Sequence, residues 1–136
     1  MAASNVQSYS VPVAAYDATA QAANISATTI YAIPAGKAGM YRAHLYIRQT
    51  ATGTSSVTPT VDMIFTGDSL AAVTTGTTSG APGHLIATNS TNATTVCNQV
   101  TFDFYADAST NIQFVTAGGT YAGMTYNLRI RLEYLG

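Results

Sequence analysis

Met40-Tyr41-Arg42-Ala43-His44-Leu45-Tyr46-Ile47-Arg48-Gln49-Thr50 alternates apolar and polar side chains almost without a break. In an extended chain successive side chains point to opposite faces, so Tyr41, Ala43, Leu45 and Ile47 share one face and Arg42, His44, Tyr46 and Arg48 share the other. A helix would scatter both sets around its circumference. The same pattern returns near the C-terminus, where Tyr126, Leu128, Ile130, Leu132 and Tyr134 oppose Asn127, Arg129, Arg131 and Glu133. Two such segments predict antiparallel strands with one face in a core and one facing outward.

Working outward, three more segments repeat the period of two. Residues 57–66 place Val57, Val61, Met63 and Phe65 together, with Pro59 near the start suggesting an edge strand or a bulge. Residues 94–105 align Val96, Val100, Phe102 and Phe104, and residues 111–116 add Ile112 and Phe114. Weaker strands are expected over 25–33 and around 84–87. Between these runs lie breakers: Pro34 to Gly39, the Thr- and Gly-rich stretch Thr74 to Gly83, and Ala117 to Thr120. No stretch sustains apolar residues at helical spacing. The reading is an all-β chain, a single antiparallel β-sandwich of jelly-roll type with seven or eight strands over 21–136. Residues 1–20 have small side chains and little periodicity, and are expected to form an extended N-terminal arm or a partly paired edge strand.

Composition narrows the function. Of 136 residues only 8% are charged, against roughly 25% in an average soluble domain. Thr, Ser, Asn and Ala stand in their place. Five basic residues in the whole chain, with a net charge of −1, argue against nucleic acid as a partner. A nearly neutral chain has little self-repulsion, which favours association. The one cysteine, Cys97, excludes an internal disulfide and reads as an inert small residue in a strand. No signal peptide is visible, and no apolar run approaches the roughly 20 residues that span a bilayer. Three Asn-x-Ser/Thr sequons read as chance matches in so Ser/Thr/Asn-rich a chain.

Phe65-Thr66-Gly67-Asp68-Ser69-Leu70 contains the Gly-Asp-Ser-Leu string of a lipase and esterase family whose Ser is the nucleophile. Those enzymes need a strand-to-helix turn at the Ser and a later Asp-x-x-His. Here the residues after Leu70 make a poor helix, and the last histidine is His84. A Ser without a positioned base is a weak nucleophile, so the string reads as a strand end and turn. His44 and His84 have no acidic or Cys neighbours at metal spacing, and Asp62 and Asp103 are assigned to outward faces, so no carboxylate pair converges. No enzyme, metal or cofactor is expected.

What stands out is where charge goes. Arg42, Arg48, Arg129 and Arg131, four of the five basic residues, fall on the outward faces of just two strands. If those strands are neighbours, they carry a cluster with His44, Tyr46 and Glu133 interleaved. Arg and Tyr are enriched at protein interfaces, so Arg42, His44, Tyr46, Arg48, Arg129, Arg131 and Glu133 form the candidate interface.

Thr28 to Arg42, which runs through Ile33-Pro34-Ala35-Gly36-Lys37-Ala38-Gly39-Met40-Tyr41-Arg42, resembles a strand, Pro-x-Gly turn, strand pattern, and Tyr126 to Leu135 resembles its usual partner strand. Together they are similar to small virion structural proteins of tailed bacteriophages, among them capsid decoration (cement) proteins and fibre or tail-tip modules. A looser likeness is to trimeric jelly rolls of the complement and tumour-necrosis-factor type. The resemblance implies a jelly roll, self-association (commonly as trimers), no cofactor, and attachment to a major capsid protein or other virion proteins after synthesis in the host cytoplasm. An alternative role is a receptor-binding module gripping a host surface glycan through Tyr121 and the loop Thr74 to Gly83.

Overall fold

The computed structural model describes residues 10–74 and 92–136, with backbone alone for 71–74. Eight strands form: β1 (Val11–Gln21), β2 (Thr28–Ala32), β3 (Gly39–Ala51), β4 (Thr60–Gly67), β5 (Leu70–Thr74), β6 (Cys97–Ala106), β7 (Asn111–Ala117) and β8 (Thr125–Tyr134). They build two four-stranded sheets in the orders β1-β8-β3-β6 and β2-β7-β4-β5, with every pairing antiparallel. Pairing therefore nests: β1 lies beside β8, β2 beside β7, β3 beside β6 and β4 beside β5. That is the jelly roll, in which the chain crosses between sheets at every step except β4 to β5.

The alternating faces explain why the sheets stack. Across the first sheet, Tyr16, Ile130, Leu45 and Val100 fall in one inward row, and Ala14, Leu132, Ala43 and Phe102 in the next. Opposite them, Val61, Met63, Phe65, Ile112 and Phe114 close the core from the second sheet. Ring pairs join the layers: Tyr16 with Phe114 at 4.7 Å between centroids, Phe65 with Phe104 at 4.5 Å, and Tyr31 with Tyr41 at 6.1 Å. Tilted pairs at such separations add to plain area burial.

The Pro34 to Gly39 breaker folds as a turn. Lys37 N–H donates to Pro34 O at 3.2 Å while Gly36 takes φ 80°, the left-handed position that a type II turn reserves for glycine. Tyr41 then donates its hydroxyl to Lys37 O at 2.6 Å, so a fully buried ring pins the turn to the core.

Three expectations change. Pro59 stands just ahead of β4, so β4 loses no ladder bond and runs inside its sheet between β7 and β5 instead of at an edge. Asp62, expected outward, is buried at 7% exposure, with Val115 directly opposite on β7. β5 was not expected. It follows a two-residue turn in which Asp68 and Ser69 both take positive φ, the hairpin geometry usually supplied by Asn-Gly. Residues 11–21 are hydrogen-bonded to β8 along the sheet edge, while residues 1–9, the expected strand at 84–87 and the loop over 75–83 lie outside the described residues.

Buried phenols give the fold a pH limit. Burial pushes Tyr41 up to about 12, helped by the neighbouring phenols of Tyr31 and Tyr134, and burial also raises Tyr121 and Tyr126. The unfolded chain ionises its tyrosines near 10. Between about pH 10 and about 12 the unfolded state therefore holds fewer protons than the folded state, and stability falls as pH rises. Urea midpoints should be flat from neutral pH to about pH 9 and then drop, with phenolate absorbance rising at the unfolding transition. A flat midpoint above about pH 11 would contradict this.

Candidate functional site

β3 and β8 are neighbours, so the outward faces of the two alternating strands form one surface. Register fixes its pattern. Arg42 pairs with Glu133, His44 with Arg131, Tyr46 with Arg129, and Arg48 with Asn127. On the far side of β3, β6 sets Asp103 beside Arg42, Thr101 beside His44, Gln99 beside Tyr46 and Cys97 beside Arg48. On the far side of β8, β1 sets Asp17 beside Arg129 and Ala15 beside Arg131. All seven candidate interface residues thus stand together on the outer face of the first sheet.

Ion pairs knit the rows. Arg42 grips Asp103 with two parallel bonds, Nε to Oδ1 at 2.7 Å and a terminal nitrogen to Oδ2 at 2.9 Å. Asp17 serves two cations, Arg131 at 2.9 Å and 3.2 Å and Arg129 at 3.2 Å. His44 sits between the Thr101 hydroxyl at 3.2 Å and Glu133 Oε2 at 3.4 Å. Arg48 has no ion pair among the described residues. The hydrogen bond from Arg131, reinforced by Arg129, holds the Asp17 carboxyl below the usual carboxylate range, and the hydrogen bond from Arg42 does the same for Asp103. Both carboxylates are therefore ionised at neutral pH, and the charge pattern persists there. Exposed pairs of this kind contribute little to folding because water and salt screen them.

The surface is concave. His44, Tyr46, Gln99, Thr101, Arg129 and Arg131 line an open groove of about 500 Å³ whose floor is the backbone at Leu45 and Val100. Guanidinium, phenol, amide and hydroxyl groups converge there, a set suited to binding an acidic and partly apolar group. Sequence reading missed Asp17, Gln99 and Thr101. Asp17 lies in a run of small residues, and only long-range pairing of β1 with β8 brings it to the arginines. Gln99 and Thr101 did alternate with Val100 and Phe102, so the outward face of β6 could have been read from periodicity.

Elsewhere, the Gly-Asp-Ser-Leu string forms the β4–β5 hairpin, not a strand-to-helix turn, and Ser69 N–H donates to Asp107 Oδ2 at 2.9 Å. Tyr121 stacks on Tyr126 with centroids 6.0 Å apart and donates its hydroxyl to Asn24, so its ring packs against the protein. Among the described residues no three His, Cys, Asp or Glu side chains are grouped to hold a metal ion, and no helix is long and apolar enough to cross a membrane.

No family model and no curated protein matches the sequence. Among solved structures, a chain of the infectious bursal disease virus Gx strain superposes with TM-score 0.44 at 15% identity over 94% of this chain and 32% of that one. The VP2 subviral particle of infectious bursal disease virus gives TM-score 0.38 at 13% identity, again over 94% of this chain and 32% of that chain. Eiger TNF from S. frugiperda gives TM-score 0.42 at 10% identity over 93% of this chain and 90% of that chain. The chain spans about a third of the length of the viral chains. The jelly-roll assignment itself rests on the strand order described above.

Proposed function

We propose that this chain is a virion structural protein of a tailed bacteriophage that decorates and reinforces the capsid, self-associates, and uses the outer face of its first sheet as the contact surface. The observation that carries this reading is the concentration of charge. A protein with five basic residues places four of them on one sheet face, around a groove, while the rest of its surface relies on hydroxyls and amides. A face so unlike its surroundings fits a protein surface that is covered in use. Jelly rolls are common in viral coats, which supports the virion reading as a fold-level analogy. The sequence likeness of Thr28 to Arg42 and Tyr126 to Leu135 to phage virion proteins points the same way. The action is mechanical: a stiff sandwich bridges neighbouring subunits, and repeated contacts across many copies resist internal pressure without any reaction. We propose no catalytic role, and ester hydrolysis lost on Ser69→Ala would overturn that.

Replacing Arg129 and Arg131 together by Ser should shift the mass distribution in light scattering toward the monomer and weaken capsid attachment at least tenfold. The side chains are exposed, so the thermal midpoint should stay close to that of the parent. Unchanged mass and unchanged attachment would remove the contact-face reading. Copy number decides between capsid and tail: a stained gel of purified particles should show the chain among the abundant bands, and a trace band would favour a tail-tip module.

A further inference from the structure

At the tip of the β4–β5 hairpin two successive non-glycine residues take positive φ. Asp68 and Ser69 hold φ of 51° and 62°, a conformation that side chains other than glycine avoid. The turn is nevertheless braced, because Ser69 N–H is tied to Asp107 across the loop that follows β6. Asp68 is exposed and has no ion pair among the described residues. Two residues on, Leu70 is 67% exposed, more than Val11, Met40 or Tyr105, the other large apolar side chains on the described surface. A braced turn therefore presents an acid and an exposed leucine two residues apart.

Charge divides between the groove face and the rest of the chain. On the groove face Arg42, Arg48, Arg129 and Arg131 outnumber Asp17, Asp103 and Glu133 by one positive charge. The remainder, Lys37 against Asp62, Asp68 and Asp107, carries two negative charges, which together give the net −1 of the chain. Within the groove Arg129 and Arg131 share the single carboxylate of Asp17, so the pair is one carboxylate short. Its volume of about 500 Å³ is in the range of small-ligand pockets, large enough for a two- or three-residue turn.

We propose that the groove receives the Asp68–Leu70 tip of a second copy of this chain, a reading that rests on the outer face of the first sheet being a contact surface. Asp68 supplies the missing carboxylate to Arg129 and Arg131, and Leu70 covers the ring of Tyr46. Each copy offers one tip and one groove, and joined head-to-tail the copies close into a ring or run on as a chain. A groove-to-groove contact would instead set two positive surpluses against each other.

Mixing two variants tests this. Asp68→Lys with Leu70→Ser removes the tip, and Arg129→Ser with Arg131→Ser removes the groove. Circular dichroism first checks that each is folded. In sedimentation velocity each variant alone should associate at least tenfold more weakly than the parent. An equal mixture should form one-to-one heterodimers and nothing larger, since one tip and one groove remain. If the tip variant assembles like the parent while the groove variant does not, the contact face stands and the tip is wrong. If neither variant changes assembly, or the parent itself stays monomeric, both readings fall. Two monomeric variants whose mixture stays monomeric would overturn the head-to-tail pairing.

Discussion

Phe114→Ala is expected to lower the unfolding free energy by about 3–5 kcal/mol, a large fraction of the roughly 5–15 kcal/mol that holds a domain together. Phe114 is fully buried on β7 and packs its ring on Tyr16 of β1 across the two layers. Truncation leaves a cavity between two sheets whose backbones are fixed by their own ladders, so the site cannot collapse to fill it. The urea midpoint should fall steeply at unchanged slope. Tyr46→Ala, on the outer face of β3, supplies the contrast: in dilute monomer it should cost no more than about 0.5 kcal/mol. Equal losses from the two substitutions would mean that the core does not lie between the sheets as described.

Gly67→Ala acts through the backbone. A methyl group there would stand 2.6 Å from the carbonyl oxygen of Tyr105 on β6. Gly67 ends β4 in one sheet and Tyr105 lies near the end of β6 in the other, and beside them Asp107 N–H donates to Thr66 O at 2.8 Å. Here the main chains of the two layers touch. A clash with backbone cannot be relieved by a side-chain rotation, so the sheets must part at that end. The expected loss is about 1–3 kcal/mol or more, read as a lower thermal midpoint. Faster hydrogen exchange should accompany it at Asp107. Gly36→Ala makes a useful comparison: nothing lies within 4 Å of the added atom, so only the positive φ of 80° resists it. If Gly67→Ala were the milder of the two, the close approach of β4 and β6 would be disproved.

The behaviour of particular segments shows what was legible beforehand. Residues 40–50 and 126–135 announced themselves because a half-buried strand enforces a period of two, and both occupy the interior of a four-stranded sheet where one face packs on the core. β5 escaped notice because its turn lacks the glycine that such turns usually carry; Asp68 and Ser69 adopt left-handed backbone without it. The burial of Asp62 was not foreseen for a related reason. Alternation tells which side of a sheet a residue faces, but not whether the outer side is covered.

The outer-face cluster divides along the same line. That Arg42, Arg48, Arg129 and Arg131 face away from the core follows from periodicity alone, a local property of extended backbone. That β3 and β8 lie side by side, that Asp17 joins them from β1, and that His44, Tyr46, Gln99 and Thr101 enclose a groove depends on pairings between residues far apart in the chain. Such pairings are set by the nesting of β1 with β8 and β3 with β6, which no local pattern encodes. Fold class and facing were thus written in the sequence, because each is fixed by neighbours two residues away. The site was decided by tertiary structure, because only the packed sheets bring its four strands into register.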